Sequence, residues 1–334
     1  MSFFAILFAL LIEQVRPLAR VNPIHAGLRN WARWVAGNFD AGKRHHGWIA
    51  WSLAVLGPAL ASFLVHLLLV LYAGWVFAML WSVAVLYVTL GFRQFSHHFT
   101  NIRDALDAGD EAKARELLAQ WQQVDASELP RSEIVRHVIE YSVLAAHRHV
   151  FGVLGWFSVL AAFGFGPAGA VLYRMAEFVD RFWRHADKTS DHPVSPALLS
   201  VASRAWSAID WLPSRVTALG FAVVGSFEEA IDCWRNYAQR FPNDNDGVIL
   251  AATSGAVNVR LGGEALKAVT FAPSQTGGFG AAGVQPEATM DSSESTPGRE
   301  AEVGHLRSVV GLVWRSVVLW MVLLALLTLA RLLG

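Results

Sequence analysis

Several arginines and carboxylates lie in otherwise apolar segments, and these side chains are the strongest candidates for binding or reacting with a ligand. A guanidinium is a planar fork of N–H groups that can bind a carboxylate or a phosphate through two hydrogen bonds. Charged groups in such a setting are costly unless they face a polar interior. We therefore predict a ligand-binding site opening toward the cell interior, in which the arginines hold an anionic ligand and the carboxylates orient a cation or an amine. Its residues are Arg174, Asp180, Arg215, Asp244, Asp246 and Arg260. The alternative is internal ion pairing that docks one segment on another.

The polar run Asn-Asp-Asn-Asp-Gly at 243–247 has two interpretations. In the first, it is a loop whose side chains cap a helix beginning near Val248, because Asn and Asp are good N-caps. In the second, its two carboxylates form a site for Mg²⁺ or lie close to a bound phosphate at the membrane surface. An EF-hand is excluded, because its first and last ligand positions would fall on Pro242 and Thr253.

Three sets of histidines flank the apolar segments, and we expect all of them at one membrane face. Imidazole binds metals and titrates near neutral pH, so a metal or proton sensor is one interpretation. Interfacial side chains that anchor helix ends are the other. The sets are His45 with His46, His97 with His98, and His147 with His149. We assign no metal ligands.

The other motifs in the sequence give only weak evidence for a reactive or binding site. The run Gly-Phe-Gly-Pro-Ala-Gly at 164–169 has the letters of a dinucleotide-binding fingerprint, but that motif needs a preceding strand and a βαβ unit, so a helix break is favoured. No P-loop motif occurs. Cys233 is the only cysteine, which excludes an internal disulfide and a multi-cysteine zinc site. The residues alone assign no catalytic group.

The elements that must position these residues are helices in or at a membrane. Residues 47–92 contain no Asp, Glu, Lys or Arg, and about 20 apolar helical residues cross a bilayer. This run therefore predicts a helical hairpin that turns near residues 72–75. Basic residues flank both of its ends, which places those flanks in the cytoplasm. The composition agrees: 54% of residues are hydrophobic and 16% are charged, against roughly 25% charged in soluble domains.

We predict an all-α, polytopic membrane protein with a cytoplasmic helical insertion and re-entrant or amphipathic helices. Its parts are N-terminal membrane helices and hairpin at 1–92, the insertion at 93–149, a broken amphipathic core at 150–265, a disordered linker at 266–306 and a membrane anchor at 307–334. The linker is predicted from its Gly, Ser, Thr and Pro content. Arg204, Asp210 and Arg215 are expected to be buried charges within the core.

Three runs within the core resemble the CobD/CbiB membrane proteins of cobalamin biosynthesis. They are Gly-Pro-Ala-Gly-Ala-Val-Leu-Tyr-Arg at 166–174, Trp-Leu-Pro-Ser-Arg-Val-Thr-Ala at 211–218 and Val-Arg-Leu-Gly-Gly at 259–263. The resemblance implies an adenosylcobinamide-phosphate synthase, which joins aminopropanol or its phosphate to adenosylcobyric acid through an amide bond. If the chain is active, Mg²⁺ with a nucleotide is the implied cofactor.

The chain departs from this pattern in an acidic motif. The family's Asn-Thr-x-Asp aspartate corresponds to Arg148, which would weaken a metal or amine site at that place. A sister branch, AmpE, is also similar, in Ile12-Glu13-Gln14, in the run from Asp210 to Arg215 and in the C-terminal anchor. That branch implies a non-catalytic signalling role linked to cell-wall stress and β-lactamase induction.

The expected location is the bacterial inner membrane, with the long loops in the cytoplasm. The expected partners are the lipid bilayer and a corrinoid or other anionic small molecule. Nucleic acid is not expected, because Lys plus Arg and Asp plus Glu are equal at 27 each and give no global basic field. The oligomeric state is left open.

Overall fold

A computed structural model describes residues 2–15, 23–122, 124–189, 194–263 and 295–333. Over these residues every regular element is a helix, which confirms the predicted all-α class. The helices are α1 Ser2–Val15, α2 Pro23–Phe39, α3 Arg44–Leu68, α4 Trp75–Thr89, α5 Phe92–Asp107, α6 Glu111–Gln122, α7 Arg131–Ala146, α8 Gly152–Ala162, α9 Ala168–Thr189, α10 Pro196–Val224, α11 Phe227–Tyr237, α12 Asp244–Val257 and α13 Val303–Leu333. Their buried apolar side chains form one continuous core.

The predicted hairpin is present as α3 and α4. One turn of π-helix, Leu69–Ala73, extends α3, and Gly74 then reverses the chain. The φ of Gly74 is 91°, in the region that glycine adopts at little steric cost. The apolar run therefore folds as two antiparallel helices, as its length requires.

Within the described ranges, three helical runs are long and apolar enough to cross a bilayer: Arg44–Ala73, Arg131–Ala162 and Val303–Ala330. Two shorter apolar helices, Phe3–Val15 and Trp75–Thr89, accompany them. The second run comprises α7, one turn of π-helix at His147–Phe151, and α8. The predicted boundary at residue 149 therefore falls inside a continuous helix, because the π-turn adds a residue to the turn without ending the helical hydrogen bonds.

The glycine-rich run at 164–169 forms the turn between α8 and α9, and among the described residues no strand precedes it. Gly164 and Gly166 have φ values of 85° and 58°. A Cβ on Gly166 would lie 2.4 Å from the ring of His66 in α3, so the turn packs directly on the hairpin. The helix break expected there is confirmed.

Helix α10 is the longest element of the predicted core, and its start is held by α2. Asp40, just past the end of α2, accepts hydrogen bonds from the backbone N–H of Ser195 at 2.7 Å and from its hydroxyl at 2.5 Å. The Ser195 hydroxyl caps the helix by accepting from the Leu198 N–H at 3.2 Å. Asp210 is buried as expected, whereas Arg204 is exposed and Arg215 is half-buried.

The chain returns to the core before α13. Residues 295–300 lie within the predicted linker, yet they pair with the segment after α12. The Arg260 N–H donates to the Arg299 carbonyl at 2.7 Å, and the Thr296 N–H donates to the Leu261 carbonyl at 2.8 Å. Residues 264–294, which make up most of that linker, lie outside the described residues.

Gly298 allows this close return. Its φ is 134°, and a Cβ there would lie 2.8 Å from the carbonyl carbon of Val259. We expect Gly298→Ala to lower the free energy of unfolding by more than about 1 kcal/mol, because alanine is strained at this φ and collides with backbone. Gly311→Ala, inside α13 with open space around it, is the control and should be neutral or stabilising. Thermal unfolding of the detergent-solubilised protein measures both. Equal melting temperatures for the two variants would contradict the docked return.

Candidate functional site

The π-turn that joins α7 to α8 directs three consecutive polar side chains into the protein. His147, Arg148 and His149 are 0%, 8% and 7% exposed. The turn packs against α9 and α10, and α12 packs against both α7 and α10. Polar groups buried to this degree must find partners within the protein.

His147 is the centre of a closed hydrogen-bond network. Its Nε2 lies 2.8 Å from Asp210 Oδ1, and its Nδ1 lies 2.9 Å from Thr217 Oγ1, both in α10. The Tyr173 hydroxyl of α9 donates to the same Asp210 oxygen at 2.7 Å. All four side chains belong to residues that are at most 3% exposed. The network joins three elements in a buried environment, where hydrogen bonds are strong.

Burial of this network determines which of its groups keep their protons. The pKa of Tyr173 is raised well above its ordinary value, first by burial and then by the neighbouring Asp210 carboxylate. Tyr173 therefore keeps its proton and donates it in a hydrogen bond to Asp210. A carboxylate paired with an imidazole in this way can accept a proton from a bound amine or hydroxyl.

Arg148 and Asp246 form a buried ion pair next to this network. The guanidinium donates to Asp246 Oδ2 at 2.7 Å, and the two side chains are 10% and 5% exposed. Asn243 donates to the same oxygen at 3.1 Å. Arg148 thus neutralises a carboxylate that the sequence analysis assigned to the ligand site.

The start of α12 carries the remaining predicted residues of this region. The helix begins at Asp244, four residues before the predicted Val248, and is capped by the Asn243 side chain, which accepts from the Asn245 N–H at 3.2 Å. Arg215 donates to Asn245 Oδ1 at 2.5 Å, and its guanidinium lies 4.7 Å from the centre of the Trp211 ring. Asp244 is exposed in the first turn. The cap interpretation is confirmed, with the boundary moved to Asn243.

Arg174 and Asp180 lie on α9, which also carries Tyr173. Arg174 is 3% exposed and donates to Glu177 Oε2 at 3.0 Å. Asp180 is 2% exposed and pairs with Arg184 one turn further along. Both predicted residues are buried and take part in ion pairs within their own helix.

Arg260 lies apart from the other predicted residues. Its side chain is exposed, and it follows the C-terminal end of α12, whereas Asp244 and Asp246 are at the N-terminal end. Fourteen helical residues separate the two ends, which corresponds to about 21 Å. The structure thus brings Arg215, Asp244 and Asp246 to one place and Arg174 to the adjacent helix, but leaves Arg260 outside.

The predicted site did not include His147, Tyr173 or Thr217, and treated Asp210 only as a buried charge. A signal was available, because Tyr173, Asp210 and Thr217 all belong to or adjoin the runs that resemble the family. Their pairing with His147 was not visible, since the partners are 26 to 70 residues apart.

The histidine sets do not form a metal centre among the described residues, where no group of three or more His, Cys, Asp or Glu is placed to hold an ion. His147 is engaged in the network. His98 stacks on Trp121 with ring centres 5.7 Å apart and planes 8° apart. Stacking of this kind fits the anchoring interpretation for that histidine.

Comparison with known proteins assigns this helical arrangement to a family. Residues 3–290 match the family model described as CobD/Cbib protein, so the chain belongs to the CobD/CbiB family. A protein of Stutzerimonas stutzeri strain A1501 named cobalamin biosynthesis protein CobD is 29% identical over 283 residues, which cover 85% of this chain and 82% of that protein.

Two further relatives carry the same name. The protein of Chromobacterium violaceum is 34% identical over 183 residues, or 55% of each chain. The protein of Leptospira interrogans is 28% identical over 212 residues, or 61% of this chain and 64% of the relative. No solved structure matches the chain. The family is membrane-associated, in agreement with the three long apolar helical runs.

The buried ion pair gives a stability prediction. We expect Arg148→Ala to lower the free energy of unfolding by about 3–5 kcal/mol, because it leaves the charge of Asp246 buried without this partner. Adding Asp246→Ala should recover part of that loss, and the control Arg103→Ala, at a half-buried surface pair, should cost below about 1 kcal/mol. Unfolding in detergent of the wild type, both single variants, the double variant and the control measures these differences. Additive losses from Arg148→Ala and Asp246→Ala would show that the two side chains do not interact.

The Tyr173 ring sits against a glycine, which gives a second prediction. A Cβ on Gly152 would lie 2.0 Å from the Tyr173 ring, whereas one on Gly155, in the same helix, meets nothing within 4 Å. We expect Gly152→Ala to displace Tyr173 from Asp210 and to lower the melting temperature, with Gly155→Ala close to wild type. Near-ultraviolet absorbance and thermal unfolding report on the tyrosine and the stability. Unchanged values for Gly152→Ala would contradict this packing.

Proposed function

We propose that this protein acts in cobalamin biosynthesis and joins aminopropanol or its phosphate to adenosylcobyric acid through an amide bond. Membership of the CobD/CbiB family over residues 3–290 supports the pathway. The network of His147, Asp210 and Tyr173 supports the reaction class, because amide formation requires removal of protons from the attacking amine.

In the proposed reaction a nucleoside triphosphate phosphorylates the carboxyl group, the amine nitrogen attacks its carbon and a C–N bond forms. The C–O bond to the phosphorylated oxygen breaks, and that oxygen leaves as phosphate. Asp210 with His147 would accept the proton released from the amine, while Tyr173 keeps the Asp210 oxygen in place. Arg215 and the exposed Asp244 lie beside this network and would contact the ligand from its open side.

Activation of the carboxyl group would come from a nucleoside triphosphate with Mg²⁺ as co-reactant. The described residues do not fit that metal ion, because Asp246 is neutralised by Arg148 and Asp180 is paired with Arg184. We therefore assign no residue to a bound metal ion or nucleotide.

A second candidate function is favoured by that same observation. If the ion pair between Arg148 and Asp246 permanently prevents a ligand from reaching that carboxylate, the protein is a non-catalytic membrane signalling modulator of the AmpE type. That role is linked to cell-wall stress and β-lactamase induction. Such a protein would retain the fold and the buried network for stability alone.

Complementation of a bacterial strain that lacks the synthase tests the reaction. We expect the wild-type chain to restore conversion of adenosylcobyric acid to the amide product. Asp210→Asn should reduce that conversion by about 100-fold or more, because it removes the proton acceptor. Arg204→Gln, an exposed change on the same helix, should leave it unchanged.

The result that would overturn the amide reaction is a folded, membrane-inserted wild-type chain that yields no corrinoid amide. A deletion strain that still makes corrinoid but responds differently to cell-wall antibiotics would then support the second candidate. Equal conversion by wild type and Asp210→Asn would instead remove the proposed role of the network.

A further inference from the structure

A second buried polar cluster lies beside the network, and the proposed reaction does not use it. On α9, Arg174, Glu177 and Arg181 are spaced at i, i+3 and i+7, so they share one face of the helix. Glu177 accepts from Arg174 at 3.0 Å through one carboxylate oxygen and lies 3.2 Å from Arg181 through the other. One carboxylate thus holds two guanidiniums together in a buried position.

His149 faces this cluster. Three arginines, at 148, 174 and 181, act electrostatically on its imidazole. The residue is 7% exposed, and its Nδ1 atom is buried and has no hydrogen-bond partner. A buried polar atom without a partner loses a hydrogen bond that it would make in water, so it needs a structural or functional explanation.

The N-terminus of α5 lies against the same imidazole. A Cβ on Gly91, the residue before the helix, would be 3.2 Å from His149 Nδ1. The first N–H groups of a helix have no partner within it, and they carry partial positive charge. Two guanidiniums of the cluster therefore act on an imidazole that lies against a helix N-terminus and has one unpaired ring nitrogen.

The local potential in this region is positive. His25 of α2 responds to it: its pKa is lowered to about 4, first by burial and then by repulsion from Arg174 and Arg29. Arg181 has 13% of its side chain exposed, compared with 4% for Arg174, so Arg181 is the more accessible of the two guanidiniums.

We propose that His149, Arg174, Arg181 and the N-terminus of α5 form a binding site for a phosphate group, separate from the network around Asp210. A tetrahedral phosphate can accept hydrogen bonds from both guanidiniums, from the His149 Nδ1–H tautomer and from backbone N–H groups at once. Either a free phosphate compound or a phospholipid headgroup would present this chemistry. The site does not depend on the amide reaction.

Phosphate binding is tested with the purified full-length protein in a lipid-free detergent. We expect inorganic phosphate to raise the melting temperature by about 3 °C or more in a saturable manner, relative to chloride at equal ionic strength. Arg181→Gln should abolish this rise in melting temperature, since it keeps the Arg174–Glu177 pair but removes one of the two guanidinium groups. Arg204→Gln, which lies in α10 and is exposed, should retain it.

A second variant tests the site in case Arg181→Gln does not fold. His149→Phe keeps a ring against Gly91 but loses Nδ1, and we expect it to raise the half-saturating phosphate concentration about tenfold. A second set of melts, with phosphatidylglycerol added in place of phosphate, distinguishes a lipid headgroup from a free phosphate. An Arg181-dependent rise with either probe supports the site and identifies the source. No rise with either probe, or the same rise in Arg181→Gln and Arg204→Gln, would overturn it.

Discussion

Burial of three consecutive polar side chains on one helical turn is the constraint on which the rest of the structure depends. A polar group removed from water must be paired inside the protein, and the penalty for leaving a buried charge unpaired is several kcal/mol. His147 and Arg148 therefore determine where α9, α10 and α12 can lie, because Tyr173, Asp210, Thr217 and Asp246 must reach them. The π-turn spaces these side chains so that consecutive residues meet different helices.

The same constraint relates the structure to function. Hydrogen bonds in a dry interior are strong, and a fully satisfied network keeps its geometry as a ligand arrives. The residues around Asp210 form such a network, whereas the carboxylate of Asp246 is neutralised by an arginine. This neutralisation leaves the residues around Asp210 for the proposed proton transfer.

Two separate polar centres share helix α9. Tyr173 and Arg174 are neighbours on α9, yet Tyr173 joins the Asp210 network and Arg174 joins Glu177 and Arg181. Adjacent residues of a helix are offset by about 100°, so one helix can serve two polar centres.

Much of the architecture was predictable from local pattern. The uncharged run at 47–92 dictates a helical hairpin, because unpaired backbone groups are not tolerated in lipid. The glycine-rich run at 164–169 separates α8 from α9 through glycines with positive φ. Arg215, Asp244 and Asp246 were also placed near one another from their charge. These predictions depend on interactions within a few residues or on composition.

The partners of the polar residues were decided only by the tertiary structure. Asp246 meets Arg148 across 98 residues, and Asp210 meets His147 across 63, so no local pattern shows which carboxylate pairs with an arginine and which with a histidine. Sequence alone established an all-helical, membrane-associated chain with charges in apolar segments. Packing determined how those charges pair, because the pairing minimises the cost of burying them and depends on distances that exist only after the helices assemble.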